Sequence, residues 1–258
     1  MKAKCNFNTE LSLYEKTGDM KKWLLVVLMG VCLLQAGAQE KNIVRDDNVQ
    51  VRPISGFTGI EVSGAISLYL SQGNEEAVAV SAGSDEDAGR IRTELKNGVL
   101  HITPQKSGWS WGNKRMKAYV TFKTLKRIEA SGACNIRLTD AVKLEKLEIE
   151  LSGASDFSGK VQTALLRLVA TGASRITISG EANKTQVEAS GASDIKGYDL
   201  RTDYCKVNAS GASAIHLTVN KEIDASASGG SGIYYKGQGL VRDSNISGGA
   251  TFKRKVED

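Results

Sequence analysis

Histidine and cysteine are scarce in this 258-residue chain, and their placement removes whole classes of chemistry. There are two histidines, His101 and His216, and four cysteines, Cys5, Cys32, Cys134 and Cys205. No two histidines have ligand spacing, and no Cys-x-x-Cys occurs. Neither a zinc site nor a hydrolase triad is signalled, so no metal, no cofactor and no catalytic residue is expected. The formal net charge of +5 is modest and gives no nucleic-acid footprint. The apolar run Leu24 to Leu34 has 11 residues, too short to cross a bilayer, which takes about 20.

That run has a different reading. Residues 1–19 are polar and aperiodic; Met20-Lys21-Lys22-Trp23, the apolar run, and Ala36-Gly37-Ala38 before Gln39 then match the three regions of a secretory signal peptide. Residues 1–38 are read as an upstream extension plus signal peptide (20–38), with Met20 an alternative start and cleavage after Ala38. Val31 stands before Cys32 where a lipoprotein signal has a small residue, which argues against a lipid anchor. The expected location is the periplasm, the outer-membrane surface or the medium, with no transmembrane span in the mature chain. Losing residues 1–38 removes five basic and three acidic residues and lowers the formal net charge from +5 to +3. Export permits disulfides, and Cys134 and Cys205 remain. In the repeat described next they fall three to four units apart, farther than the roughly 4.4–6.8 Å Cα separation a bridge needs. Two free, packed thiols are expected.

What the chain does have is a repeat. Close copies of Ser152-Gly153-Ala154-Ser155-Asp156-Phe157 place a glycine at Gly132, Gly153, Gly172, Gly191, Gly211, Gly229 and Gly248, in steps of 21, 19, 19, 20, 18 and 19 residues, with an earlier copy at Gly64. A fixed period near 20 marks stacked units that bury a shared apolar face. Four before the glycine stand Ile128, Ile149, Leu168, Val187 and Val207; four after it, Ile136, Phe157, Ile176, Ile195, Ile215 and Ile233. These columns share one parity and Glu129, Glu150 and Glu188 occupy the other, the period of a half-buried strand and not of a helix.

Each unit reads as two strands meeting at a Ser-Gly-Ala corner, followed by a polar turn such as Gly197-Tyr198-Asp199. The fold class is all-β, a parallel β-helix or solenoid of about 20-residue rungs with an N-terminal β module. Ser155, Ser174, Ser193, Ser213 and Ser231 share the apolar parity and are expected to form an inward hydroxyl ladder bonded to neighbouring rungs. The expected organisation is a polar leader at 39–48, an N-terminal β module at 49–127 capping the stack, repeats at 128–252 and a charged tail at 253–258. Within the module, Asn97-Gly98 predicts a hairpin over 91–103.

With the signal peptide, the opening Phe57-Thr58-Gly59-Ile60-Glu61-Val62-Ser63-Gly64-Ala65 and the Ser-Gly-Ala-Ser copies in view, residues 49–252 resemble the GIN-domain family of Bacteroidetes-type bacteria, described as autotransporter adhesin head domains. The resemblance implies an exported β-helical domain with a role in adhesion, and it brings no catalytic residues. No segment here has the character of an autotransporter's membrane barrel.

Candidate binding residues follow from exposure and chemistry. Asp156, Arg175 and Asp194 form an outward column on adjacent rungs, which serves either as a groove for a sugar or cation or as a ladder of ion pairs worth about 0.2–1 kcal/mol each. Trp109 and Trp111 lie in the polar, Gly-rich loop Ser107–Gly112, where they either stack on a sugar or protein partner or plug the module's end. Tyr234 and Tyr235 pose the same question on a late rung. His101 and His216 read as surface or packing histidines. The resulting expectation is a non-enzymatic, adhesin-like module at the cell envelope or surface that binds a glycan or protein partner. The alternatives are a carbohydrate-active β-helix enzyme using the Asp156, Arg175, Asp194 cluster, or a periplasmic scaffold or signalling component. Ile176→Asp should unfold several rungs together, because an unpaired buried charge is costly; thermal unfolding indistinguishable from the parent would refute this alignment of the rungs.

Overall fold

The computed structural model describes residues 46, 48–105 and 116–255; the signal-peptide and most of the leader expectations lie outside them. The chain forms a parallel β-solenoid of about seven turns with rungs of roughly 19 residues. Alternation drives it. Ile128, Ile149, Leu168, Val187 and Val207 before the corners, and Ile136, Ile176, Ile195, Ile215 and Ile233 after them, are all fully buried, while their sequence neighbours face out.

In chain order, β1 (Val49–Arg52) precedes β2 (Gly59–Gly64) and β3 (Ile66–Gln72), which together make one rung around Gly64. Then come β4 (Ala77–Ser81), the short helix α1 (Asp85–Gly89), β5 (Ile91–Lys96), β6 (Val99–Pro104) and β7 (Met116–Phe122). The off-period stretch does not separate the Gly64 unit from the rest. β2 is hydrogen-bonded in parallel to β6 on one side and to β8 (Arg127–Gly132) on the other, and β3 likewise lies between β7 and β9 (Asn135–Leu138). The chain therefore builds one rung, adds a second below it, and returns to stack the Gly132 rung directly on the Gly64 rung. Below, the parallel ladder gives way to antiparallel pairs: β5 on β6, and β4 on β7 with β1 outside β4. The β5–β6 turn is Asn97-Gly98, with φ of 51° and 73°, the two positive values a tight two-residue hairpin requires.

Above Gly132 the rungs follow sequence order through β10 (Val142–Leu151), β11 (Asp156–Ala170), β12 (Arg175–Ala189), β13 (Asp194–Ala209) and β14 (Ala214–Ala227). The last turns are β15 (Gly232–Lys236) with β16 (Leu240–Ile246), and then β17 (Thr251–Arg254). Val241 and Ile246 hold inward register opposite buried Ile223 and Ala227, yet they are exposed because no described rung covers them.

The corners show why glycine recurs. At Gly172 φ is +75°, and a Cβ there would stand 2.5 Å from the Gly153 carbonyl oxygen. That oxygen accepts a 2.7 Å hydrogen bond from the Ala173 N–H, so it cannot withdraw without breaking the ladder. The inward serines do reach neighbouring rungs, Ser213 donating to the Ala189 carbonyl at 3.2 Å and Ser231 to Ala209 at 3.3 Å, with Ser174 and Ser193 at 3.5 Å from the rung below. The shorter bond of each lies within its own corner, as from Ser174 to the Thr171 carbonyl at 2.8 Å and from Ser193 to Ser190 at 2.7 Å, so the hydroxyl also closes the corner. Cys134 takes the same position, its Sγ 3.3 Å from the Ser131 carbonyl; it and Cys205 are buried, free thiols, and burial raises both pKa values.

Gly172→Ala should cost more than about 2 kcal/mol, combining left-handed strain with backbone overlap, and lower Tm by about 4–8 °C. Gly83→Ala, where nothing lies within 4 Å of the added atom, should stay within about 0.5 kcal/mol. Equal Tm values for the two variants in calorimetry would contradict the stacked-corner account.

Candidate functional site

The residue five positions after each corner glycine points outward, and in-register stacking lines these residues up. Tyr69, Arg137, Ser158, Thr177, Lys196, His216, Tyr234 and Lys253 pair successively across the rungs. Because rungs repeat about every 4.8 Å, aromatic neighbours in such a column stack. His216 and Tyr234 do so with ring centroids 5.2 Å apart and planes 12° apart. Lys255 Nζ lies 5.6 Å from the Tyr234 ring centre. Tyr234 also folds back over its own rung, where a Cβ on Gly232 would meet its ring at 2.7 Å.

A third ring joins from a bulge. Opposite Thr177 and Gly180, which enclose two residues of β12, β13 has the three residues Gly197, Tyr198 and Asp199; against β14 the register jumps from Gly197 to Arg201. The surplus chain lifts Tyr198 out of the ladder, and the Thr218 hydroxyl holds it by donating to the Tyr198 carbonyl at 2.7 Å. The Tyr198 ring meets His216 edge-on at 5.1 Å, its hydroxyl and His216 Nδ1 share a 3.1 Å hydrogen bond, and Lys236 Nζ lies 5.3 Å from its ring centre. Tyr198, His216 and Tyr234 thus form one aromatic run over three rungs.

Beside this run the surface is concave. Two adjoining hollows of about 840 and 600 Å³ share Lys160, Ser179, Tyr198 and Asp199. Gly159 and Gly180 are among the lining residues, and both pack closely on the rung below: a Cβ would collide with Leu138 at one and with the Val161 carbonyl at the other. Lys160, Lys196 and Lys236 also line the hollows. Lys196 is 3.6 Å from Asp194, Arg201 is 4.0 Å from Glu181, and Lys160 makes no ion pair among the described residues.

The column of Asp156, Arg175 and Asp194 runs alongside, two residues nearer the corner. Arg175 lies 3.6 Å from Asp156 and 3.8 Å from the half-buried Asp194, long contacts of small energetic weight. Asp194 ties this column to the hollow through Lys196. Tyr234 belongs to the aromatic run, but Tyr235 does not offer a binding ring: it is 5 % exposed and stacks on Phe252 at 5.4 Å inside the core. It follows Tyr234 directly, so strand alternation turns it inward. Trp109 and Trp111 lie outside the described residues. Tyr198, His216 and the three lysines escaped the sequence reading, although the 20-residue step from Gly191 to Gly211 marks the rung that carries the bulge.

The outer surface before the corners is different in kind. Arg167 donates to Glu148 at 2.6 Å, Glu150 at 2.8 Å and Glu188 at 3.1 Å, and Arg127 donates to Glu150 at 2.9 Å. Burial pushes Glu150 up, and the two arginines outweigh it and hold its carboxyl below the usual range. These arginines and glutamates satisfy one another.

Three comparisons bear on the chain. A family model described as "Putative auto-transporter adhesin, head GIN domain" matches residues 56–239. Among solved structures, a putative adhesin from Bacteroides fragilis superposes with TM-score 0.76 at 21% identity, covering 80% of this chain and 96% of that one. A putative adhesin from Parabacteroides merdae gives 0.66 at 16% identity over 81% and 95%. A protein from Parabacteroides distasonis named a putative lipid binding protein gives 0.61 at 20% over 81% and 98%. No curated protein matches. At these identities the structural likeness speaks for the fold.

Burial lowers the His216 pKa, with Asp194 opposing and Lys196 and Lys255 reinforcing the shift. His216 should be neutral at pH 7 and titrate below 6.5 in a ring-proton NMR titration, with the resonance identified by its loss in His216→Gln. Since folding disfavours the charged ring, its protonation should erode stability as pH falls below about 6.5. A midpoint above 6.5 would refute this environment.

Proposed function

Since the chain belongs to the family of adhesin head GIN domains, we propose that it is an exported, non-enzymatic interaction module whose face around Tyr198, His216 and Tyr234 binds a glycan at the cell envelope or surface. The observation that carries the reading is the aromatic run beside an open hollow lined by polar and basic side chains. Aromatic rings present an apolar face to the C–H side of a sugar ring, while Asp199, Ser179 and the lysines are placed to bond its hydroxyls. The rungs hold these groups on a hydrogen-bonded ladder, so little conformational freedom is lost on binding. Rigidity also suits an adhesive element, which must present the same surface repeatedly. Trp109 and Trp111 are a second candidate contact for the same partner.

The test is a glycan and host-matrix array probed with the purified protein, with Tyr198→Ala/Tyr234→Ala and Trp109→Ala/Trp111→Ala, alongside product analysis. Selective glycan binding that falls by about tenfold or more in the tyrosine variant is expected, from two stacking contacts of about 0.5–1.5 kcal/mol each. Cleaved products that vanish in Asp156→Ala, Arg175→Ala or Asp194→Ala would instead make the protein a carbohydrate-active enzyme. Binding unaffected by the tyrosines would place the site elsewhere.

A further inference from the structure

Building on the glycan-binding reading, we infer that the ligand of the Tyr198 hollow is an acidic saccharide, one carrying carboxylate or sulfate groups along an extended chain. The hollow's rim bears Lys160, Lys196, Lys236 and Arg201 against Glu181 and Asp199. Arg201 and Glu181 face each other at 4.0 Å and Lys196 and Asp194 at 3.6 Å, so Lys160 and Lys236 against Asp199 leave the imbalance positive. It is concentrated where the rings are: Lys236 lies against Tyr198 and Lys255 against Tyr234. A cation over an aromatic face retains most of its charge for an incoming anion, and its position is fixed beforehand. Lys160, exposed and without an ion pair among the described residues, gives up no existing bond to meet a ligand.

The repeat supplies the second half of the argument. Rungs spaced about 4.8 Å apart match the length of one sugar residue in an extended polysaccharide. A chain laid along the solenoid axis would present successive sugars to successive members of one column. In order along that column stand Lys196, His216, Tyr234 and Lys253, so rings occupy the middle and cations both ends. An acidic polymer offers the complementary sequence of apolar ring faces and regularly spaced anions. A neutral glycan would leave the lysines desolvated without partners, which is unfavourable.

The test measures binding of dextran, dextran sulfate, polygalacturonate and its methyl ester to the purified protein in low and physiological salt. Variants are Lys160→Gln/Lys196→Gln, Tyr198→Ala/Tyr234→Ala and, as a control in the second half of β13, Lys206→Gln, all checked for parental Tm. The inference expects each charged polymer to bind about tenfold or more tightly than its neutral counterpart, with affinity falling as salt rises. Both site variants should weaken it and Lys206→Gln should not. Equal binding of charged and neutral polymers, lost in the tyrosine variant, would overturn the acidic preference while leaving the glycan site standing. Acidic binding that survives the tyrosine variant, or that Lys206→Gln also weakens, would reduce the effect to general charge attraction and overturn the inference. Binding of none of the four polymers would overturn the inference, and a glycan array that is also silent would remove the underlying reading with it.

Discussion

Close stacking of one glycine on another, rung after rung, is the constraint from which the rest of the molecule follows. From Gly64 to Gly248 each corner takes positive φ, and each glycine from Gly132 to Gly191 would place a Cβ 2.5 Å from the carbonyl oxygen below it. The same oxygens accept the N–H of the next residue in the rung above, as Gly132 does from Ala154 and Gly172 from Ala192, both at 2.7 Å. Only a residue lacking a side chain satisfies both demands. Once the corners are pinned, the residues four before and four after them have no choice but to stack inside, and the buried isoleucine and valine columns result.

Pinned corners also turn the outside into a ruler. A residue at a given distance from its glycine stands above its equivalent in the previous rung, so side-chain chemistry accumulates in columns. On one surface the columns carry opposite charges, and Arg127 and Arg167 join four glutamates into a closed set of bonds. On the other, rings, lysines and small residues alternate, and a local surplus of chain at Tyr198 interrupts the ladder. A bulge of this kind re-aims a side chain without disturbing the core: Ile195 and Leu200 on either side remain fully buried. The combination of a rigid ladder with one irregular rung gives the molecule a single differentiated place among the described residues where aromatic faces, unengaged cations and a hollow coincide.

In the glycan-binding reading proposed above, such a surface would meet an extended, repeating partner along several rungs, with the hydrogen-bonded pair of Tyr198 and His216 at its centre. The family's description as an adhesin head is compatible with that reading, and the Tyr198 hollow is its proposed location.

The sequence by itself determined the solenoid, since the glycine period and the single-parity apolar columns are properties of neighbours along the chain. It also located the inward Ser and Cys positions and the outward column of Asp156, Arg175 and Asp194. It could not show that the Gly64 rung lies directly under Gly132, because the 68 residues between them depart from the period and strand pairing alone decides which rung they leave adjacent. The alternation that buries Ile233 already implies that Tyr234 faces outward and Tyr235 inward. Least of all could the sequence assemble the candidate site. Tyr198, His216 and Tyr234 come from three different rungs, and Tyr198 reaches His216 from the surplus chain where the register of β13 shifts against both neighbours. Where a stack absorbs an extra residue is a matter of register between adjacent rungs, and that is fixed by strand pairing in space and not by the order of residues along the chain.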